Sequence, residues 1–98
     1  MSSAVQMTKE RFDDTGADYS YRGFNYTLSV AGSAFKVRTY DNTPAEFTVI
    51  APTSARRSPH ARELVDYLVS ELGCQRVEFY FGPSGTYRAV DLRTLEFV

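Results

Sequence analysis

The chain has 98 residues, of which 11 are basic and 12 acidic, so its net charge is −1. That length suits one domain and is too short for two, and the charge balance lacks the basic excess that is typical of nucleic-acid-binding domains. The single cysteine excludes an internal disulfide, and no run of about 18 apolar residues predicts a membrane span. Because the N-terminus also lacks the pattern of a signal peptide, we expect a small cytoplasmic protein.

Residues 1–18 are predicted to be a flexible N-terminal tail, with residues 19–98 forming a single α+β domain. Polar and charged residues dominate the first segment, and no apolar period is visible in it. Its acidic run, residues 13–18, lacks the alternating carboxylates and the distal glutamate of an EF-hand loop. The sequence therefore predicts no metal site in this segment.

Three strands with a two-residue period are predicted after the tail, over residues 24–30, 34–40 and 46–51. Tight turns at residues 31–33 and 41–44 separate them, and both turns are rich in residues that suit turns. Because short turns join consecutive strands, we expect an antiparallel meander. The positions predicted to face the core are Phe24, Tyr26, Leu28, Val30, Phe35, Val37, Phe47 and Val49.

One helix is predicted over residues 58–73. Ser58 is expected to cap its N-terminus, and Pro59 to occupy the first helical position, where a missing N–H costs nothing. Gly73 is expected to end the helix in the left-handed conformation. Its apolar residues recur at helical spacing and form one stripe, which consists of Ala61, Leu64, Val65, Leu68 and Leu72.

Two more strands are predicted after the helix, over residues 76–81 and 86–92, joined by a turn at residues 82–85. We favour the register that places Tyr80 opposite Tyr87, because it leaves Val77 facing Val90. A slip by one residue would turn the last strand over and send its apolar side chains to the other face.

The predicted order of elements is β-β-β-α-β-β. This order favours an α+β two-layer sandwich, in which one helix packs on one face of an antiparallel or mixed five-stranded sheet. Leu95 and Phe97 either extend the sheet as a short strand or fold over its edge. The order differs from that of the RNA-recognition motif and of the double-stranded RNA-binding domain, so no family resemblance is inferred.

Catalytic groups are scarce in this sequence. His60 and Cys74 are the only residues of their types, and they stand at opposite ends of the predicted helix, about 20 Å apart, too far to form a nucleophilic pair. The same separation argues against a zinc site. No phosphate-binding glycine loop or nucleophile elbow is present. We therefore predict no catalytic residues, no metal and no cofactor.

Basic residues collect at the predicted start of the helix, namely Arg56, Arg57, His60 and Arg62. Helix N-termini usually favour acidic residues, and local conflicts of this kind tend to mark functional sites. Free N–H groups with arginines beside them would bind an anion, such as a phosphate, a nucleic-acid backbone or a carboxylate cluster on another protein. The alternative is that these are solvated loop charges, with Arg62 pairing with Asp66.

A tyrosine patch is predicted on the sheet face that the helix leaves open. Tyr40 and Tyr80 alternate with core positions on their strands, and Tyr87 joins them in the favoured register. Such a surface suits protein recognition or the stacking of exposed bases. The alternatives are that the tyrosines cover the face without a partner or mediate homodimerisation. The predicted patch is edged by Lys36, Arg38, Arg76 and Arg88.

The sequence thus predicts a small non-enzymatic protein-binding module. It would act as an inhibitor or accessory factor that occludes a surface of a larger protein, as phage-encoded inhibitors and antitoxins do, which is an analogy of size alone. The alternative is a nucleic-acid-binding domain that uses the Arg56–Arg57 loop and the tyrosine face. The third hypothesis is an enzyme with its site between subunits, and no visible catalytic group supports it.

Overall fold

The computed structural model describes residues 5–52, 54–82 and 84–98. It confirms the α+β class and contains six strands, one α-helix and a short 3₁₀ turn in the order β-β-β-β-η-α-β-β. The bounds of these elements are β1 Val5–Thr15, β2 Ser20–Val30, β3 Ser33–Tyr40, β4 Thr43–Ala51, the 3₁₀ turn Ala55–Arg57, α1 Ala61–Leu72, β5 Arg76–Phe81 and β6 Thr86–Val90.

The six strands form one sheet in which spatial order follows chain order. β1 to β4 are antiparallel neighbours, as expected for strands joined by tight turns. β4 and β5 are parallel because α1 carries the chain back between them, and β5 and β6 are again antiparallel. The sheet is therefore mixed, and the predicted antiparallel meander before the helix is confirmed.

The prediction of a flexible tail is wrong for residues 5–15, which form β1 and supply the sixth strand. β1 pairs with β2 along its whole length, from Val5 opposite Val30 to Thr15 opposite Ser20. Its side chains are mostly exposed, because it lies at the edge of the sheet and the helix does not cover it. A strand with so little burial needs no regular alternation of apolar residues. The hydrophobic periodicity of the sequence therefore did not predict a strand here. Residues 1–4 of the predicted tail lie outside the described residues.

The core lies between α1 and one face of the sheet, and every strand position predicted to face it in β2, β3 and β4 does so. Leu64, Val65 and Leu68 of the helix are fully buried against it. Among the described residues, no helix lies over the opposite sheet face. The buried sheet residues of the same core cluster include Leu28, Val30, Phe35, Val37, Phe47, Val49, Val77 and Phe79.

The predicted start of the helix is wrong by about one turn. Residues 55–57 form the 3₁₀ turn, and α1 begins only at Ala61, preceded by His60. The Ser58 hydroxyl accepts a hydrogen bond from the His60 N–H at 3.1 Å, so it closes a local turn and does not cap the helix.

The predicted end of the helix is confirmed. Gly73 follows Leu72 with φ of 68°, a conformation that other residues resist, and the Cys74 N–H donates to the Leu68 carbonyl at 3.0 Å. Among the described residues, no helix combines the length and the apolar character that crossing a membrane requires.

The last hairpin has the favoured register, with Tyr80 opposite Tyr87 and Val77 opposite Val90. Its predicted turn, residues 82–85, includes Pro83, which lies outside the described residues. After β6 the chain turns back, and Phe97 forms an antiparallel bridge with Val90. The C-terminal residues thus return along the edge of the sheet.

Candidate functional site

The predicted tyrosine patch is divided into two groups on the open sheet face. Val37, Val49 and Phe79 form one row across three strands. Tyr40 lies three residues to one side of that row and Tyr80 one residue to the other. At about 3.3 Å per residue, this places them about 13 Å apart along the strands alone. Tyr40 and Tyr80 are therefore not neighbours.

The first group, which we call the hairpin patch, consists of Phe12, Tyr21, Arg38 and Tyr40. The Phe12 and Tyr40 rings meet edge to face with centroids 5.8 Å apart, and Tyr21 packs against Tyr40 at 6.3 Å. The Arg38 guanidinium lies 4.4 Å from the centre of the Phe12 ring. The four side chains come from β1, β2 and β3, so the pairing of the β1–β2 hairpin decides their proximity.

A glycine makes this arrangement possible. Gly23 of β2 pairs with Phe12 on one side and Tyr40 on the other. Because Gly23 has no side chain, the two flanking rings can meet above it. A Cβ atom at this position would lie only 1.9 Å from the Thr39 carbonyl oxygen, so the backbone of β3 also approaches too closely for any other residue.

The hairpin patch combines an oriented guanidinium with one exposed ring and two partly exposed rings. Arg38 donates through Nε to the Asn25 side-chain oxygen at 2.8 Å, which orients its guanidinium over Phe12. Tyr21 is 52% exposed. Two shallow depressions of about 530 and 370 Å³ share Tyr21 and Tyr40 as walls. The patch therefore offers solvent-facing aromatic surface with recesses on both sides.

The charged side chains of the strands that carry the hairpin patch are mostly paired within the protein. Arg11 donates two hydrogen bonds to Asp41, at 2.8 and 2.7 Å, and this contact lowers the pKa of Asp41. Arg22 pairs with Asp13 at 3.3 Å, and a hydrogen bond from Thr15 together with the charge of Arg22 lowers the pKa of Asp13. The surroundings of the patch are thus not a basic surface.

The second group on the open face is the Tyr80–Tyr87 pair, whose ring centroids are 5.1 Å apart. Of the basic residues predicted to edge the tyrosines, Arg76 pairs with Glu78 and Glu46. The prediction that Arg88 edges this face is wrong. Arg88 pairs with Phe79, a core residue, so its side chain lies on the helix side of the sheet.

The basic residues predicted at the helix start serve different contacts. Arg62 pairs with Asp66 at 2.9 Å and also donates to the carbonyls of Leu92 and Arg93, both at 2.6 Å. His60 lies 3.7 Å from Glu63 in the first helical turn. Arg62 is therefore engaged in holding the C-terminal segment, and the four predicted residues do not converge on one anion site at the helix N-terminus.

Arg56 and Arg57 instead line a cavity of about 400 Å³, which we call the arginine groove. The Arg56 guanidinium lies 4.4 Å from the centre of the Phe97 ring. Arg88 lies at 4.3 Å from the same ring, which also packs against Phe81. The other residues around the cavity are Ser54, Phe79, Tyr80, Phe81 and Gly82.

Cys74 is poorly placed to act as a nucleophile. Cys74 is 4% exposed, its thiol donates to the Arg76 carbonyl, and burial raises the pKa of this thiol, which disfavours the reactive thiolate. Within residues 5–52, 54–82 and 84–98, no three His, Cys, Asp or Glu side chains are grouped so that they could hold a metal ion.

The rings of Phe12, Tyr21 and Phe97 were not anticipated as parts of these surfaces. Phe12 interrupts a polar stretch, and an aromatic residue without apolar neighbours is a signal that could have marked it. Phe97 carried no such signal, since its place depends on the return of the C-terminal segment.

Comparisons of the chain with protein-family models, with curated proteins and with solved structures each found no match.

Proposed function

We propose that this protein is a binding module for another protein and that the hairpin patch is its contact surface. The observation that carries the proposal is the convergence of three aromatic rings and one oriented guanidinium, from three adjacent strands, on a solvent-facing sheet surface. Tyrosine and arginine are the residues most enriched at the energetic centres of protein interfaces. The recesses beside Tyr21 and Tyr40 would receive side chains of the partner.

The charges near the patch favour a protein over a nucleic acid at this surface. Arg11 and Arg22 are paired with aspartates, and Asp14 lines one of the two recesses. A phosphate backbone in that recess would meet the Asp14 carboxylate at close range, which is unfavourable. A protein partner with mixed charge and an apolar centre meets no such penalty.

The unpaired edge of β1 is a less suitable contact surface than the hairpin patch. Exposed strand edges can bind an added strand, but natural proteins protect such edges with charged side chains. β1 is protected in this way, since it carries Lys9, Glu10, Arg11, Asp13 and Asp14. We therefore assign recognition to the face of the hairpin.

The proposal is tested by affinity capture from nuclease-treated lysate of the native host, followed by titration of the purified partner. We expect a Tyr21→Ala/Tyr40→Ala variant to bind that partner at least about tenfold more weakly. Replacing a residue at the centre of such an interface by alanine typically reduces the binding free energy by about 1–2 kcal/mol or more. The matched control is Tyr87→Ala, an equally exposed tyrosine of the second group, which should leave the affinity unchanged.

Two results would contradict the proposal. One is an unchanged affinity of the Tyr21→Ala/Tyr40→Ala variant for the partner that wild type binds. The other is a complete loss of capture when the lysate is treated with nuclease, which would favour the second function below. A denaturation curve recorded for each variant separates lost binding from lost folding.

A second function, nucleic-acid binding, is favoured by one observation. Tyr80 packs on Tyr87 on the open face, and the same strand end also lines the groove of Arg56 and Arg57 on the helix side, so aromatic and basic groups lie near one end of β5. Single-stranded nucleic acids bind to such combinations. This function predicts that the affinity for a single-stranded oligonucleotide falls steeply with salt and is lost in an Arg56→Gln/Arg57→Gln variant.

A further inference from the structure

The arginine groove lies where the two parallel strands of the sheet end. β4 ends at Ala51 and β5 at Phe81, and the chain after each strand forms part of the cavity wall. In sheets with parallel strands, the crevice beyond the carboxyl ends of the strands is the usual place for a ligand. The volume of about 400 Å³ lies within the range of small-molecule sites.

The floor of the groove is apolar and its rim is basic. Phe79 is 3% exposed, and the rings of Phe81 and Phe97 pack together with centroids 5.7 Å apart. Arg57 is exposed at the rim, beside Arg56. The groove therefore joins an apolar recess to guanidinium groups that can form two parallel hydrogen bonds with a carboxylate or a phosphate.

The positive charge at the rim and beside it is unpaired in the part of the chain that the structure describes. Neither Arg56 and Arg57, which line the groove, nor Arg88, which lies over Phe97, forms an ion pair there. Arg56 and Arg88 lie over the same Phe97 ring, so their Cζ atoms are less than about 9 Å apart and repel each other. An anion held by Arg56 at the rim would offset part of this local positive charge, which supplies a reason for it to bind.

We propose that the arginine groove is a binding site for a small ligand that carries one anionic group, a carboxylate or a phosphate, on an apolar or aromatic body. The anionic group would contact Arg56 and Arg57, and the body would lie against Phe79, Phe81 and Phe97. This site is separate from the hairpin patch, so the two proposals can fail independently.

The test is an NMR titration of the full chain with phenyl phosphate and with benzoate, which distinguish the two anionic groups. We expect saturable shifts of the amides around the groove with at least one of these probes. Benzyl alcohol should bind at least about tenfold more weakly, because it lacks the charge that the guanidinium groups would bind. Inorganic phosphate should also bind at least about tenfold more weakly, because it lacks the ring that would lie against the apolar floor.

Two variants keep the test decisive. Arg57→Gln removes one rim charge without disturbing the contact between Arg56 and Phe97, and we expect it to weaken probe binding, with a further loss in Arg56→Gln/Arg57→Gln. Lys36→Gln removes one charge on the open face and should change nothing. The proposal is overturned if no probe gives saturable shifts, if benzyl alcohol binds as well as phenyl phosphate, or if Arg57→Gln binds like wild type.

Discussion

Arg11 and Asp41 join the edge strand to the β3–β4 turn across β2, through a two-point contact between guanidinium and carboxylate. Because Asp41 is held by Arg11, the pKa of its carboxyl group is lowered in the folded protein. The contribution of this pair is therefore present above the unfolded pKa of about 3.9 and lost as the pH falls through the lower folded value.

The first prediction concerns this pair. Asp41→Asn should lower the urea midpoint of unfolding slightly at neutral pH, and the difference from wild type should vanish in acid, below the folded pKa of Asp41. Both groups are exposed, so high salt should also reduce the difference. Asp14→Asn, on the same strand as Arg11, removes a carboxylate for which the described residues show no ion pair, so it is the control for the change of charge alone. A difference that stays constant down to strongly acidic pH would contradict the prediction.

Gly23→Ala should destabilise the protein by about 1–3 kcal/mol, since the added Cβ cannot fit against the Thr39 carbonyl without moving a strand. The same shift should separate Phe12 from Tyr40, which NMR would detect as changed ring shifts. Gly32→Ala is the comparison, because Gly32 has a positive φ but open space around it. It should cost stability through backbone strain and leave the two rings in place.

Arg62→Ala should loosen the C-terminal segment. The guanidinium donates to the carbonyls of Leu92 and Arg93, so its removal should speed hydrogen exchange at the Leu95 amide by about tenfold, which corresponds to one charge-assisted hydrogen bond. Asp66→Asn removes only the ion pair on the helix surface and should leave this exchange rate near that of wild type. Equal exchange in wild type and Arg62→Ala would show that other contacts hold the segment.

Leu68→Ala should cost about 2–5 kcal/mol of unfolding free energy, because Leu68 is fully buried between the helix and the sheet. Val69→Ala, one residue further along, removes a side chain that is 40% exposed and should cost less than about 0.5 kcal/mol. Chemical denaturation of both variants measures the contrast. Similar costs at the two positions would mean that the helix packs with a different face.

Cys74 should react slowly with thiol reagents in the folded protein. It is buried, and burial raises the pKa of its thiol, so few molecules carry the reactive thiolate at neutral pH. Labelling with a disulfide reagent at pH 8, with and without urea, tests this. Equal labelling rates in the two conditions would show that the helix end opens readily.

Much of the fold was predictable from side-chain periodicity. The alternation from Phe24 to Val30 and the stripe that contains Leu64 and Leu68 both reflect burial against a common core, and burial leaves a regular pattern in the sequence. The start of the helix was misplaced because Ser58 and Pro59 suit a helix N-terminus and a turn almost equally well, and the 3₁₀ turn before them was not visible in the pattern.

The candidate site was predictable only in part. The sequence by itself determined that Tyr40 and Tyr80 face away from the core, that Arg56 and Arg57 stand in a segment free of acids, and that one helix seals one side of a sheet. Tertiary structure decided the rest. An edge strand such as β1 is held by backbone pairing, which requires no periodic pattern of side chains. The contact between Phe12 and Tyr40 could therefore not be predicted from the sequence. The return of Phe97 toward Arg56 depends on contacts between residues about 30 or more positions apart, which no local pattern reports.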